Sequence, residues 1–166
     1  MSKDEFKKHV VGVTPLKQSD TVQHVKKPKK PRPKSMDNIG PIDNVGPNER
    51  LNFARSSLPT RQSSKLKKGH YSIEDTIDLH GMTSLEAKPY LDQFIQECLH
   101  AQHRCVRIVH GKGRQTNDQP VIKNKVNQWL RENPHVLAFC STQQKNGGTG
   151  AVDVLLDIEI QILVLA

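Results

Sequence analysis

A folded core can be drawn from only part of this chain, because positive charge and proline are concentrated before residue 71. Residues 1–70 hold 16 Lys/Arg against 6 Asp/Glu, a net of +10, and seven of the ten prolines. Residues 71–166 hold 9 against 11, a net of −2. The densest stretch is Lys26-Lys27-Pro28-Lys29-Lys30-Pro31-Arg32-Pro33-Lys34. Alternating Lys and Pro can neither propagate a helix nor bury apolar surface, so this segment is expected to stay extended and solvated. Its cations, Lys26, Lys27, Lys29, Lys30, Arg32 and Lys34, read as an electrostatic arm for a polyanion, since each phosphate neutralised releases counterions. A solubilising tail is the competing reading. Two weaker apolar segments flank the arm. Phe6 to Leu16 suffices for a short docking segment, and Glu49 to Leu58, with Leu51, Phe53, Ala54 and Leu58, predicts one or two helical turns. The expected organisation is a largely disordered basic extension over 1–70 and a folded domain over 71–166.

From Tyr71 the pattern changes. Thr76 to Leu79 reads as a short strand that Gly81 breaks. Thr83 followed by Glu86 is a capping-box signature, so a helix should start there. Leu91, Phe94, Ile95, Cys98 and Leu99 follow at helical spacing, with Pro89 expected to kink the helix or shorten its first turn. Arg104 to Val109 is a second strand, ended by Gly111 and Gly113. Pro120 is placed to open a second helix with Ile122, Val126, Trp129 and Leu130 on its apolar stripe, and Pro134 closes it. Val136 to Cys140 is a third strand. A Gly-rich turn follows, and then a period-two alternation from Ala151 to Ile162 that predicts a long fourth strand.

Two strand–helix units and two further strands make a small α/β domain: a two-layer sandwich of a four-stranded mixed sheet and two helices. Crossover helices make the first three strands parallel, and the tight turn makes the last antiparallel. Parallel strands release their C-terminal ends at one edge, where open α/β sheets tend to bind ligands. Asp78-Leu79-His80-Gly81, His110-Gly111-Lys112-Gly113 and Gly147-Gly148-Thr149-Gly150 should therefore meet, provided that the strand order keeps their strands close.

The chemistry expected there is proton transfer beside a phosphate. Imidazole exchanges a proton near neutral pH, and Asp78, on the same strand face as His80, can orient it. Gly111 and Gly113 let backbone N–H groups approach a phosphate, Lys112 supplies a cation, and Arg114 extends the positive charge. Either histidine could equally cap backbone groups. The loop is neither a Walker nor a Rossmann glycine motif. A metal site from Asp78, His80 and His110 lacks an HxH or HxxxH pair, so no metal is assigned. His100 and His103 read as helix-end residues, and Cys98, Cys105 and Cys140, without CxxC spacing, as core. Hydrophobics at 34% include no run of about 18 apolar residues and no leader-like N-terminus, so neither a membrane nor secretion is expected, and the cytoplasm is.

These motifs carry a family resemblance. Ile77-Asp78-Leu79-His80-Gly81-Met82-Thr83, Val109-His110-Gly111-Lys112-Gly113, Trp129-Leu130 and Gly147-Gly148-Thr149-Gly150-Ala151 together resemble the Smr (small MutS-related) domain, across about residues 73–160. The basic extension is similar to that of stand-alone bacterial members. The resemblance implies a fold like the C-terminal domain of translation initiation factor 3, nucleic-acid binding and endonuclease activity. It maps the family's DLH motif to Asp78, Leu79 and His80, and its HGxG motif to His110 through Gly113. It further implies mRNA cleaved at stalled or collided ribosomes, with RNA favoured over DNA; for an RNA substrate no cofactor is expected, because the 2′-hydroxyl nucleophile is already tethered beside the phosphate. The alternatives are a non-catalytic nucleic-acid or ribosome-binding module, and an enzyme nicking branched DNA, for which Mg²⁺ becomes plausible because water must be the nucleophile. Asp78, His80 and His110 are the expected catalytic residues. Gly111, Lys112, Gly113 and Arg114 are the expected phosphate contacts.

Overall fold

The computed structural model describes residues 42–113 and 121–159, all within one compact unit, Lys34–Ala166. The basic arm, Arg114 and Pro120 lie outside the described residues. The elements run β1 (Asn52–Ala54), α1 (Thr60–Lys67), β2 (Asp75–Asp78), α2 (Ser84–His100), β3 (Cys105–Val109), α3 (Val121–Glu132), β4 (Val136–Ser141) and β5 (Ala151–Leu156). The strands form one mixed sheet in the order β1-β4-β5-β3-β2. β2 and β3 pair in parallel, whereas β5 runs antiparallel to both β3 and β4, and β1 antiparallel to β4.

The expected four strands and two α-helices are thus corrected to five and three among the described residues, because Asn52–Ala54 adds a strand beside β4 and Thr60–Lys67 a helix. Glu49 to Leu58 does not form helical turns. Its apolar residues are two apart, Leu51 and Phe53, which is strand spacing. Leu51 is buried and donates its N–H to Ser141 Oγ at 2.8 Å. Phe53 stacks on Phe139, with ring centroids 5.3 Å apart. Arg55 then donates to the carbonyls of Val136, Arg131 and Asn133. α1 escapes a hydrophobic-pattern reading because Leu66 is its only buried residue.

The helix that Thr83 caps forms as expected, with both halves of the capping box in place. It continues through Pro89 to His100 with its first turn intact. Its buried stripe, Leu91, Phe94, Ile95, Cys98 and Leu99, packs with Val126 and Leu130 of α3 on one sheet face, against Ile77, Val106, Ile108, Phe139, Val152 and Val154. The other face carries a smaller cluster of Leu66, Cys105, Ala138, Cys140 and Leu155.

The last strand is shorter than the alternation predicts, ending at Leu156 rather than Ile162. Its two faces are not apolar and solvated either, since all six residues are buried. β5 lies between β3 and β4 with layers on both sides, so its acidic residue needs a partner. Asp153 finds it in Arg107, directly across on β3, with Nε–Oδ1 at 2.7 Å. Residues 160–166 lie outside the described residues.

Candidate active site

The strand order places the three loops together. β2 and β3 are neighbours, so the chain leaves both at the same edge, and β5 begins beside them with Ala151 opposite Val109. The Gly150 carbonyl joins two loops by accepting both the His110 N–H at 3.0 Å and the Gly111 N–H at 2.9 Å.

Asp78 and His80 form a closed pair. Leu79 between them is fully buried and pins the chain, while its neighbours turn outward. His80 Nδ1 lies 2.6 Å from Asp78 Oδ1, which also accepts the His80 backbone N–H at 3.0 Å. A carboxylate only accepts, so Nδ1 carries a proton, and in the neutral ring Nε2 is the nitrogen with the lone pair. Partial burial pushes the Asp78 carboxyl upward, but the hydrogen bonds from the His80 amide and ring, with the imidazole's charge, outweigh it and hold it below the usual range. The side chains are 71% and 52% exposed for His80 and Asp78, so a substrate can reach the ring. An oriented imidazole with a free Nε2, held by an ionised carboxylate, is equipped to take a proton.

His110 is placed differently from His80. It is 4% exposed, and its Nδ1 donates to the Gly111 carbonyl at 2.8 Å, while Nε2 is buried without a partner among the described residues. Burial pushes the imidazole down to about 4, against the upward pull of the Gly111 carbonyl and with a further downward push from the Lys123 ammonium. The ring is neutral at pH 7. Its contact braces the glycine loop.

Gly111 has φ +78°, and a Cβ there would meet the Cβ of His80 at 3.4 Å. The DLH and HGKG motifs are therefore in direct contact, with glycine required where they touch. The Gly111 N–H is already taken by Gly150. Among the described residues the N–H groups of Lys112 and Gly113 have no acceptor.

Sequence reasoning passed over two features. Lys123 is fully buried in α3, and its ammonium donates to the carbonyls of Gly46, Pro47 and Glu49. It ties the segment before β1 to the domain. A lysine among polar neighbours on an amphipathic helix gives no sign of this. The second feature is a cluster of Asp75, Cys98 and His103, whose ligand atoms lie within 4.8 Å of one another. It sits at the start of β2, the opposite end of the strand from Asp78. The Cys98 thiol is pushed up to about 12, first by burial and then by the Asp75, Glu97 and Glu74 charges. Among the described residues no such ligand group includes Asp78, His80 or His110.

The Smr domain family model matches residues 77–157. The ribosome rescue factors SmrB of Escherichia coli and Shigella boydii are each 33% identical over 109 residues, covering 66% of this chain and 57% of theirs. The chain thus spans little more than half the length of those curated relatives. YdaL, a stand-alone small MutS-related protein from Escherichia coli, superposes with a TM-score of 0.61 at 31% identity, over 69% of this chain and 88% of that one. No helix among the described residues is long and apolar enough to cross a membrane.

Proposed function

Because the chain belongs to the Smr domain family, we propose that it is an RNA-directed endonuclease with His80 as its base. The observation that carries this reading is the Asp78–His80 pair, with Nδ1 held at 2.6 Å and the imidazole largely exposed beside the Gly111 loop. His80 Nε2 takes the proton from a ribose 2′-hydroxyl. The freed oxygen attacks the adjoining phosphorus, and the bond to the 5′-oxygen breaks, leaving a 2′,3′-cyclic phosphate and a 5′-hydroxyl. The nucleophile is already tethered to the phosphate, so proximity supplies much of the rate without a metal. Asp78 stabilises the imidazolium that forms. The Lys112 and Gly113 amides and the Lys112 ammonium hold the non-bridging oxygens. His110, neutral at pH 7, supports this loop, and the leaving oxygen takes its proton from solvent.

The name of the SmrB relatives, ribosome rescue factors, supports a ribosomal setting; the substrate we propose is mRNA on stalled ribosomes, in the cytoplasm. The arm of residues 26–34 adds sequence-independent attraction to RNA. Single-turnover cleavage of end-labelled RNA, free and on stalled ribosomes, with and without chelator, tests the assignment. His80→Ala should cut the rate by about 10²–10⁴-fold with affinity retained, the usual range for general acid–base catalysis. Lys112→Ala should weaken binding and lower the salt slope by about one contact. Wild-type rates in His80→Ala would sink the catalytic reading and leave a non-catalytic clamp.

A further inference from the structure

A shallow, open depression of about 680 Å³ lies beside His80, lined by His80, Gly81, Met82, Glu86 and Tyr90. Its construction follows from the helix. Glu86 and Tyr90 are four residues apart on α2, so they share one helix face, and the turn from β2 wraps against them. Met82 packs on the core, but Tyr90 belongs to neither hydrophobic cluster and is 49% exposed. Leu85, elsewhere on the same helix, is 89% exposed. Packing therefore does not account for an aromatic ring at this place. Glu86 gives the depression its electrostatic character. Hydrogen bonds from Thr83 hold its carboxyl below the ordinary range. Its Oε2 is committed to Thr83, and Oε1 has no hydrogen bond among the described residues. A carboxylate repels phosphate and accepts N–H groups, so the depression suits a neutral, flat, N–H-bearing ring rather than the backbone that Lys112 attracts.

Resting on the proposed RNA cleavage at His80, we infer that this depression is a nucleobase subsite. It takes the unstacked base of a nucleotide adjoining the phosphate at His80, with the base stacked on Tyr90 and a base N–H facing Glu86. The occupant is single-stranded, because a base inside a duplex offers no free face to the ring. Stacking of this kind is tolerant of base identity, whereas the carboxylate favours bases that present an amino group.

The experiment uses the full chain carrying His80→Ala, so that RNA stays intact, and single-stranded RNA with 2-aminopurine at successive positions. Quenching should be strong at one position and absent at the others. Adding Tyr90→Ala should abolish that quenching and weaken binding about tenfold, whereas Tyr90→Phe keeps both. An abasic nucleotide at the same position should cost the same factor with Tyr90 present and nothing further in Tyr90→Ala. Circular dichroism checks that the variants stay folded. Quenching that survives Tyr90→Ala, or an abasic penalty independent of Tyr90, overturns the subsite while leaving the cleavage reading intact. Cleavage by His80→Ala overturns the cleavage reading while the quenching, read at short times, still supports the subsite. Absence of RNA binding overturns both.

Discussion

As pH falls from 7 towards 4.5, acid should weaken this fold through His110. Its imidazole ionises at about 4 in the folded chain, down from 6.5, chiefly because it is buried. Between those values the unfolded chain binds a proton that the folded chain refuses, so stability rises with pH. The contribution of the neutral ring is fully present above pH 6.5. It is lost progressively as pH falls from 6.5 towards 4, and changes no further below that. A shift of this size, at about 1.4 kcal/mol per unit, comes to about 3 kcal/mol. That is a large share of the roughly 5–15 kcal/mol that holds an ordinary domain together. Urea unfolding of the wild type and His110→Asn at steps from pH 7 to pH 4.5 reads it. The asparagine keeps a donor near the position of Nδ1 and removes the titration. His110→Asn should be less stable at pH 7 because it leaves space in the core. The gap should then close by most of that 3 kcal/mol as the wild type, but not the variant, loses stability with acid. The Asp78 and Glu86 carboxyls, both held low, lose their contributions further down the pH scale and in both proteins, so they cancel in the difference. Parallel curves would refute the burial argument and make His110 a candidate proton donor again.

Two further perturbations test the loops and the arm. Gly111→Val places a branched side chain at φ +78° against the His80 Cβ, so it should cost about 1–3 kcal/mol of stability in thermal unfolding and slow cleavage beyond the loss in affinity; a normal melt with normal cleavage would show that the two motifs are not pressed together. Deleting residues 1–41 should weaken RNA or ribosome binding and flatten its salt dependence without lowering the unfolding midpoint. The cut has to stop there, because removing Gly46 and Pro47 would strip two of the three carbonyls that hold the buried Lys123 ammonium.

What the sequence revealed and what it hid divide along a physical line. The α2 start, its apolar stripe and the meeting of the three loops were legible because each rests on local chemistry: a capping box, a 3.6-residue period, glycines after strands. The three-residue strand Asn52–Ala54 was not, since so short a run gains its identity only from its partners, Ser141 holding Leu51 just before it and Phe139 facing Phe53, about 90 residues away in the chain. Asp153 misled for a related reason. An acidic residue in an alternating strand reads as solvent-facing, yet Arg107 on β3 answers it only after β5 has been inserted between β3 and β4. The same distinction separates the two histidines of the site. Both follow a strand and adjoin glycine, and nothing local tells them apart. His80 leaves an edge strand, β2, and its side chain stands in the open, held by a carboxylate two residues before it. His110 leaves an inner strand and is closed over by the β5 turn, Gly150 and the field of Lys123, which makes it neutral. Sheet order, which is non-local, thus decides which imidazole stands open to solvent and which one is buried and holds the loop.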